Sequence, residues 1–187
     1  MKKLVFLMGA SLALAACNSG KDDSSKSADT PAGTETASTA RTGNTNPPLA
    51  AMPTEALSGE AATAEMKKRH DWFEELGDNF KILNRQSKSD APDMAAVQQA
   101  SAIVATKSAE LPGLFAPGTG PEAGKTEAKA NIWQDKDDYM SKAQDFNNAA
   151  NALNTVAMAG DAAGFKEAFK NTGGTCKACH DTYREED

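Results

Sequence analysis

Cysteine and histidine are scarce in this sequence: the 187 residues contain only three cysteines and two histidines. A structural zinc site needs about four protein ligands, most often cysteine and histidine. Two of the cysteines lie near the C-terminus, whereas Cys17 and His70 are far from them in the sequence. The supply of ligands therefore disfavours a zinc-organised fold.

The sequence also lacks an excess of positive charge. Lysine and arginine together number 20 against 26 aspartates and glutamates, and the formal net charge is −6. Proteins that bind nucleic acid carry clustered basic charge, so we expect no nucleic-acid partner. The acidity by itself is mainly a statement about solubility, and a basic redox partner remains compatible with it.

A long apolar run is missing as well, apart from the stretch 4–16, which is too short to span a bilayer as a helix. Lys2 and Lys3 precede it, as in a signal peptide, and it ends in Leu-Ala-Ala-Cys at Cys17. This ending resembles the lipobox of bacterial lipoproteins, so we predict a signal peptide over 1–16 and lipidation of Cys17. Because Asn18 rather than aspartate follows, we expect the periplasmic side of the outer membrane; the alternative is an ordinary secretory signal with a chance cysteine.

Residues 18–57 have no aromatic side chain and no valine or isoleucine. Such a stretch cannot bury enough apolar surface to offset the entropy lost on ordering. We therefore predict that 17–57, with the lipidated Cys17 at its start, is a disordered linker. The remaining residues, 58–187, have the length of one compact domain.

The sequence Cys-Lys-Ala-Cys-His at Cys176, Cys179 and His180 is the pattern of a covalent c-type haem site. Both thiols add to the vinyl groups of the porphyrin, and the histidine becomes an axial ligand of the iron. A thioredoxin-like motif would need a parallel sheet around it, and no strand-type alternation occurs. We therefore predict one haem c, which leaves no thiol for a disulfide if Cys17 carries lipid.

Four segments have apolar residues at alternating spacings of three and four, the pattern of helices in a bundle. They are about 58–84, about 92–110, a third that starts between 127 and 135 and ends near 159, and a fourth after Asp161. Ser58 or Thr63 is the candidate N-cap of the first helix, and Asp161 is that of the fourth. We predict an all-α fold, an antiparallel four-helix bundle that encloses the haem. The inward rows are Met66, Arg69, Phe73, Leu76, Phe80 and Leu83; Met94, Val97, Ser101, Val104, Ser108 and Leu111; Tyr139, Ala143, Phe146, Ala150, Leu153 and Ala157; and Phe165, Phe169, Thr172, Cys176, Cys179 and Tyr183.

One member of these rows, a pair of glycines and a loop bear on how a haem could be held. Arg69 places a charge in the core, which needs a partner; a haem propionate would match its fork geometry, or its head could reach solvent. Gly173 and Gly174 would let a flat ring approach the last helix, or would break that helix. The loop 112–124 is rich in glycine and proline and is either functional or a mere connection.

The domain resembles cytochrome c′, the class II cytochromes c, over residues 58–187. The likeness rests on the ending Cys-Lys-Ala-Cys-His-Asp followed by Tyr183 and Arg184, on Ile132 and Trp133, and on the loop residues Leu111, Pro112, Phe115, Gly118 and Thr119. The row that contains Arg69 matches the first helix of the family. The resemblance implies that Cys176 and Cys179 hold the haem, that His180 is the proximal ligand, and that further haem contacts come from Arg69, His70, Phe73, Glu127 and Arg184.

In this family the residue one turn after the arginine lies over the iron. Here it is Phe73, which has no ligating atom, whereas the low-spin c556-like branch has methionine there. The resemblance therefore implies five-coordinate, high-spin iron that binds NO and CO, with NO able to displace His180 and end on the side of Arg184. Met66 and His70 are the residues that could contradict this as alternative iron ligands.

We accordingly expect a periplasmic haem protein that contributes to nitric oxide tolerance and has electron-carrier capacity. It is not expected to be an enzyme, and no catalytic residue is assigned. The alternatives are a plain electron carrier without gas ligation and, remotely, a haem-free lipoprotein. The family is commonly dimeric through its first two helices, so we expect a homodimer with Trp72 and Ile103 as candidate contacts, unless both are core-edge residues.

Overall fold

The computed structural model describes residues 47–185, which form helices and connecting loops with a single isolated β-bridge. The prediction of an all-α four-helix bundle is confirmed. Within this part of the chain no helix is long and apolar enough to cross a membrane. In chain order the elements are α1, Gly59–Ser87; α2, Met94–Glu110; a 3₁₀ turn, Leu111–Leu114; the short α3, Asn131–Gln134; α4, Lys136–Met158; and α5, Ala162–Tyr183.

The four long helices pack as layers around one core. Helix α4 contacts both α2 and α5, and α1 contacts α2 and, less extensively, α5. Short turns join α1 to α2 and α4 to α5, which makes these neighbours antiparallel. The long connection from α2 to α4 runs back across one end of the bundle and, as described below, supplies part of the haem site.

Side-chain caps determine where two of the helices begin. Asp161 accepts hydrogen bonds from the backbone N–H groups of Ala163 (3.1 Å) and Gly164 (2.9 Å), as predicted for the start of α5. Asp93 does the same for α2, so that helix begins at Met94 rather than at Pro92. At α1, Ser58 rather than Thr63 occupies the N-cap position, but its side chain makes no capping hydrogen bond.

The predicted inward row of α4 is confirmed in full, because all six of its residues are buried. Helix α4 also makes hydrogen bonds with small residues of α2. The Ser108 hydroxyl donates to Asn147 Oδ1 at 3.0 Å, and the Ser101 hydroxyl donates to Asn154 Oδ1 at 3.2 Å. Small side chains with satisfied hydroxyls let the two helices approach closely without leaving buried polar groups unpaired.

The buried face of α1 is rotated relative to the predicted row. It consists of Ala62, Arg69, Trp72, Leu76, Asn79 and Leu83, whereas Phe73 is 37% exposed. Trp72 is 8% exposed; its Nε1 donates to Glu110 Oε2 at 2.9 Å, and Lys107 Nζ lies 5.0 Å from its ring centroid. Trp72 is therefore buried between α1 and α2 of one protomer. The prediction that it is a dimer contact is wrong, and the alternative that it belongs to the core edge holds. Ile103 is half-buried on α2.

The last part of the predicted linker is ordered against the bundle. Leu49 and Met52 pack on the core, and the backbone N–H of Ala50 donates to the carbonyl of Ala109 at 2.7 Å. Leu57 N–H donates to the Pro117 carbonyl at 2.8 Å, beside Gly118, whose φ of +81° admits no side chain without a clash on Leu57. The prediction that the disordered linker extends to residue 57 is therefore wrong for residues 47–57. The predicted signal peptide and Cys17 lie outside the described residues.

Candidate haem site

The haem-binding motif occupies the last two turns of α5. This helix continues without interruption from Ala162 to Tyr183, so the alternative of a break at Gly173 and Gly174 is wrong. A Cβ atom built on either glycine would meet no heavy atom within 4 Å. The two glycines therefore leave the backbone open to the approach of a flat group one turn before the cysteines.

Cys176 and Cys179 are free, half-buried thiols that pack against the hydrophobic core. Burial raises the pKa of both thiols to about 11, with a further increase at Cys176 from its neighbour Cys179. Both sulfurs are therefore uncharged at neutral pH. A thioether is also uncharged, so attachment to a porphyrin places no new charge in this apolar surrounding.

His180 is exposed near the end of α5. Consecutive helical residues differ by about 100° in direction, which takes it off the face of Cys179. Desolvation by neighbouring protein atoms, and then the positive charge of Arg184, lower the pKa of the imidazole. Both effects favour the neutral imidazole, which is the form that binds iron.

Arg69 is 4% exposed, so the alternative that its head reaches solvent is wrong. Its guanidinium is held by the loop after α2: it donates to the Thr119 hydroxyl (2.9 Å), the Thr119 carbonyl (2.8 Å), the Thr126 hydroxyl (3.1 Å) and the Leu114 carbonyl (3.4 Å). Burial lowers the pKa of Arg69, and the nearby Glu65 and Tyr139 act in the opposite sense. All four hydrogen-bond partners are neutral, so they satisfy the N–H groups without compensating the charge.

An aromatic wall extends from α1 to α5 across the loop. Leu114 and Phe115 of the loop are buried, each 4% exposed. Phe115 lies 6.5 Å from Phe73 and 5.2 Å from Tyr139, measured between ring centroids, and Tyr139 lies 5.4 Å from Tyr183. The loop therefore does more than connect two helices, because it supplies a ring to this wall and the oxygens that hold Arg69.

Glu127 and Arg184, predicted separately, are brought together. Arg184 Nε donates to Glu127 Oε2 at 2.7 Å. An isolated β-bridge between Ala128 and Arg184 supports the pair, with Lys129 N–H donating to the Tyr183 carbonyl at 2.9 Å. A cation is thus fixed one turn beyond His180, at the point where the chain end joins the segment before α3.

His70 and Met66 lie on α1 and take no part in the contacts described above for Arg69 and the aromatic wall. His70 is exposed on α1 with Nε2 3.6 Å from Glu74 Oε1, and Met66 is half-buried near Gly124. The haem contact at His70, and the iron ligation considered for either residue, remain predictions.

Tyr139 is the residue whose importance the sequence pattern did not reveal. It was assigned only to the inward row of α4, and it is 1% exposed, but its hydroxyl has no hydrogen-bond partner among the described residues. The available signal was a hydroxyl in an otherwise apolar row. A buried hydroxyl without a partner costs about 1–3 kcal/mol, so such a group indicates a missing acceptor.

These residues fit a covalently bound haem. Two uncharged thiols and a neutral imidazole lie within five residues of one helix, next to open backbone. A buried guanidinium with neutral partners and an orphaned hydroxyl face the same region from the other helices. A haem would supply the iron that binds diatomic gases and changes oxidation state, while the protein supplies attachment, an axial ligand and polar contacts.

The sequence was compared with known families and proteins. A sequence model described as Cytochrome C' matches residues 64–184. The cytochrome c′ of Pararhodospirillum photometricum is 37% identical over 122 residues, 65% of this chain and 97% of that protein. The cytochrome c′ of Cereibacter sphaeroides is 35% identical over 139 residues, 73% and 92% of the two chains. Cytochrome c-556 of Agrobacterium fabrum is 34% identical over 124 residues, 66% and 82% of the two chains.

Solved structures give the same result at the level of the fold. A cytochrome c′ described as having an unusual ligand-controlled dimer dissociation aligns with a TM-score of 0.63 at 30% identity, covering 69% of this chain and all of that one. The nitric oxide complex of a leucine-to-alanine variant of cytochrome c prime from Alcaligenes xylosoxidans aligns with a TM-score of 0.61 at 30% identity, covering 70% of this chain and all of the other.

Proposed function

Because this chain belongs to the cytochrome c′ family, whose members carry covalently bound haem c, we propose that it binds NO and CO at five-coordinate, high-spin iron. In this proposal Cys176 and Cys179 attach the haem and His180 is the only protein ligand of the iron. The role that follows is binding of nitric oxide on the periplasmic side of the membrane, which contributes to nitric oxide tolerance. The similar proteins are named as cytochromes, and no catalytic step is proposed.

The observation that carries the proposal is the residue at position 73. Phe73 lies on α1, which packs against α5, and its ring contacts Phe115 at the edge of the aromatic wall. A benzyl side chain offers no atom that can bind iron, and an apolar pocket without a hydrogen-bond donor stabilises bound O₂ poorly. NO and CO, which bind strongly without such help, are therefore the favoured ligands.

Similar proteins support the choice of ligand. Solved structures that align with this chain include nitric oxide complexes of cytochrome c prime from Alcaligenes xylosoxidans, one of them a ferrous arginine-to-lysine variant. In this chain, Arg184 lies one turn beyond His180 and is held by Glu127. We propose that NO displaces His180 and remains on the side of Arg184.

Titration of the anaerobic ferrous protein with NO tests this proposal, with absorption and EPR spectra recorded at each addition. We expect a ferric resting state with a high-spin spectrum and a ferrous NO complex that forms stoichiometrically. The five-coordinate NO spectrum would report loss of His180. A ferric spectrum that is entirely low-spin, or a ferrous protein that forms no NO complex, would contradict the proposal.

The second candidate is a plain electron carrier, because the chain is about as similar to cytochrome c-556 of Agrobacterium fabrum as to several cytochromes c′. In that role a second protein ligand would occupy the sixth coordination position of the iron and exclude gases. Met66 and His70 are the residues on α1 that could act so. A low-spin ferric spectrum that reverts to high-spin on substitution of one of them would favour this candidate.

Two further parts of the proposal concern where and how the protein acts. We propose that lipid on Cys17 holds it at the periplasmic side of the outer membrane. We also propose a homodimer, with the half-buried Ile103 on α2 as a contact, supported by the dimer described for a similar cytochrome c′. Membrane fractionation of wild-type and Cys17→Ser cells, and sedimentation of the purified protein with and without NO, are the respective measurements.

A further inference from the structure

The orphaned hydroxyl of Tyr139 lies in a dry and crowded place. The side chain is 1% exposed, and the rings of Phe115 and Tyr183 pack edge-on against it at 5.2 and 5.4 Å. The neighbouring Tyr183 differs from Tyr139 in having a hydrogen-bond acceptor: its hydroxyl donates to Asp138 Oδ2 at 2.7 Å. Of two neighbouring tyrosines, one is therefore satisfied by a carboxylate and the other has no partner in the described part of the chain.

The electrostatic surroundings make Tyr139 a hydrogen-bond donor. Burial raises its pKa well above the ordinary value, so the phenol stays protonated, and Cys179, Arg69 and Tyr183 influence it to a smaller extent. The Arg69 guanidinium carbon lies 4.9 Å from the centroid of the Phe115 ring, which packs edge-on against Tyr139. Arg69 is a buried cation whose four hydrogen-bond partners are all neutral. A donor without an acceptor and a cation without a bonded anion thus occur near each other and near a haem-attaching cysteine.

Few groups of a haem can both accept a hydrogen bond from the Tyr139 hydroxyl and balance the charge of Arg69. The haem periphery is hydrocarbon except for two propionate carboxylates, and its vinyl groups are used by the cysteines. A buried carboxylate requires hydrogen-bond donors and a compensating positive charge. We propose that the Tyr139 hydroxyl donates a hydrogen bond to a haem propionate that lies beside Arg69, and so helps to position the haem.

A role for Tyr139 over the iron is less consistent with the geometry. Phe115 contacts both the Phe73 ring and the Tyr139 ring, whereas no ring contact joins Phe73 to Tyr139 within residues 47–185. The hydroxyl is therefore separated by Phe115 from the residue placed over the iron. The proposal depends on haem attachment and not on gas binding, so failure of one leaves the other standing.

The test compares the wild-type haem protein with Tyr139→Phe, using Tyr183→Phe as the matched control. Each variant removes one oxygen from the same pair of edge-on rings, but only in the control does the lost hydroxyl already have an acceptor. The readouts are the propionate bending mode in the resonance Raman spectrum and the pH titration of the haem methyl resonances by NMR. Tyr139→Phe is expected to shift the bending mode and to raise the propionate pKa by about one unit, because a donor to the ionised form is lost.

The control is expected to leave both readouts at their wild-type values. The proposal would be overturned by a propionate mode and pKa unchanged in Tyr139→Phe, or by equal shifts in the two variants. A shift of the iron–ligand stretching mode of the CO complex with an unchanged propionate mode would also overturn it, since it would place the hydroxyl at the bound gas instead.

Discussion

Substitution of Phe73 by methionine is expected to convert the ferric haem from high-spin to low-spin. Phe73 lies on the face of α1 next to Phe115, in a helix that packs against the haem-bearing α5. In the proposed site, a thioether at this position would offer the iron a sulfur as a second protein ligand beside His180. The high-spin EPR signal should fall to a small fraction of its wild-type intensity, and NO should bind roughly tenfold or more weakly, about 1.4 kcal/mol, because it must displace the sulfur.

Leu83→Met on the same helix is the control for this change. It introduces an identical thioether into a fully buried position, about 15 Å further along α1 from the rise of 1.5 Å per residue. Leucine and methionine have similar volumes, so the cost to packing is small. A high-spin spectrum in both variants would show that Phe73 does not lie over the iron and would remove the main argument for a gas-binding role.

Replacing Arg69 by methionine is expected to lower the stability of the haem protein by about 3 kcal/mol, because a set of buried hydrogen bonds to a charged group is lost. The substitution leaves the carbonyls of Leu114 and Thr119 without the guanidinium that binds them. It also frees the loop that carries Phe115. For a domain of this size the midpoint of thermal unfolding should fall by roughly 10 °C, measured by circular dichroism.

Arg85→Met is the matched control, because Arg85 is exposed in the last turn of the same helix. Its change in midpoint should be within about 2 °C of wild type, since exposed substitutions usually alter stability by no more than about 0.5 kcal/mol. If Arg69→Met unfolds at the same temperature as Arg85→Met, the guanidinium does not hold the loop, and its burial would need another explanation.

The helical pattern of the sequence was sufficient to predict the fold. The rows spaced by three and four predicted four long helices, and the complete burial of the α4 row confirms that one. Asp161 was identified as a cap because only its local backbone is involved. The attachment motif, too, is local: Cys176, Cys179 and His180 share one stretch of helix, so their chemistry can be recognised without knowing what packs against it.

Which side chains are buried in the bundle depended on the neighbouring elements that pack against them. Periodicity places Trp72 and Phe73 about 100° apart but does not fix the rotation of α1. Packing against Lys107 and Glu110 of α2 buried Trp72 and left Phe73 at the edge. Likewise, a low apolar content suggested that 47–57 is disordered, but Leu49 and Met52 sufficed once the bundle provided a surface and backbone partners.

By itself the sequence determined the class of fold, the covalent haem and the choice of His180 as the candidate ligand, because each depends on residues close together in the chain. Only the tertiary structure decided which residues from distant parts of the chain come together at the candidate site: Arg69 held by Thr119, Glu127 paired with Arg184, and Tyr139 left without an acceptor. The two hydrogen bonds join residues 50 and 57 positions apart, so they arise from the way the loop packs against α1 and α5. Hydrogen bonding in a dry interior is decided by distance in space, and no local pattern of side chains records it.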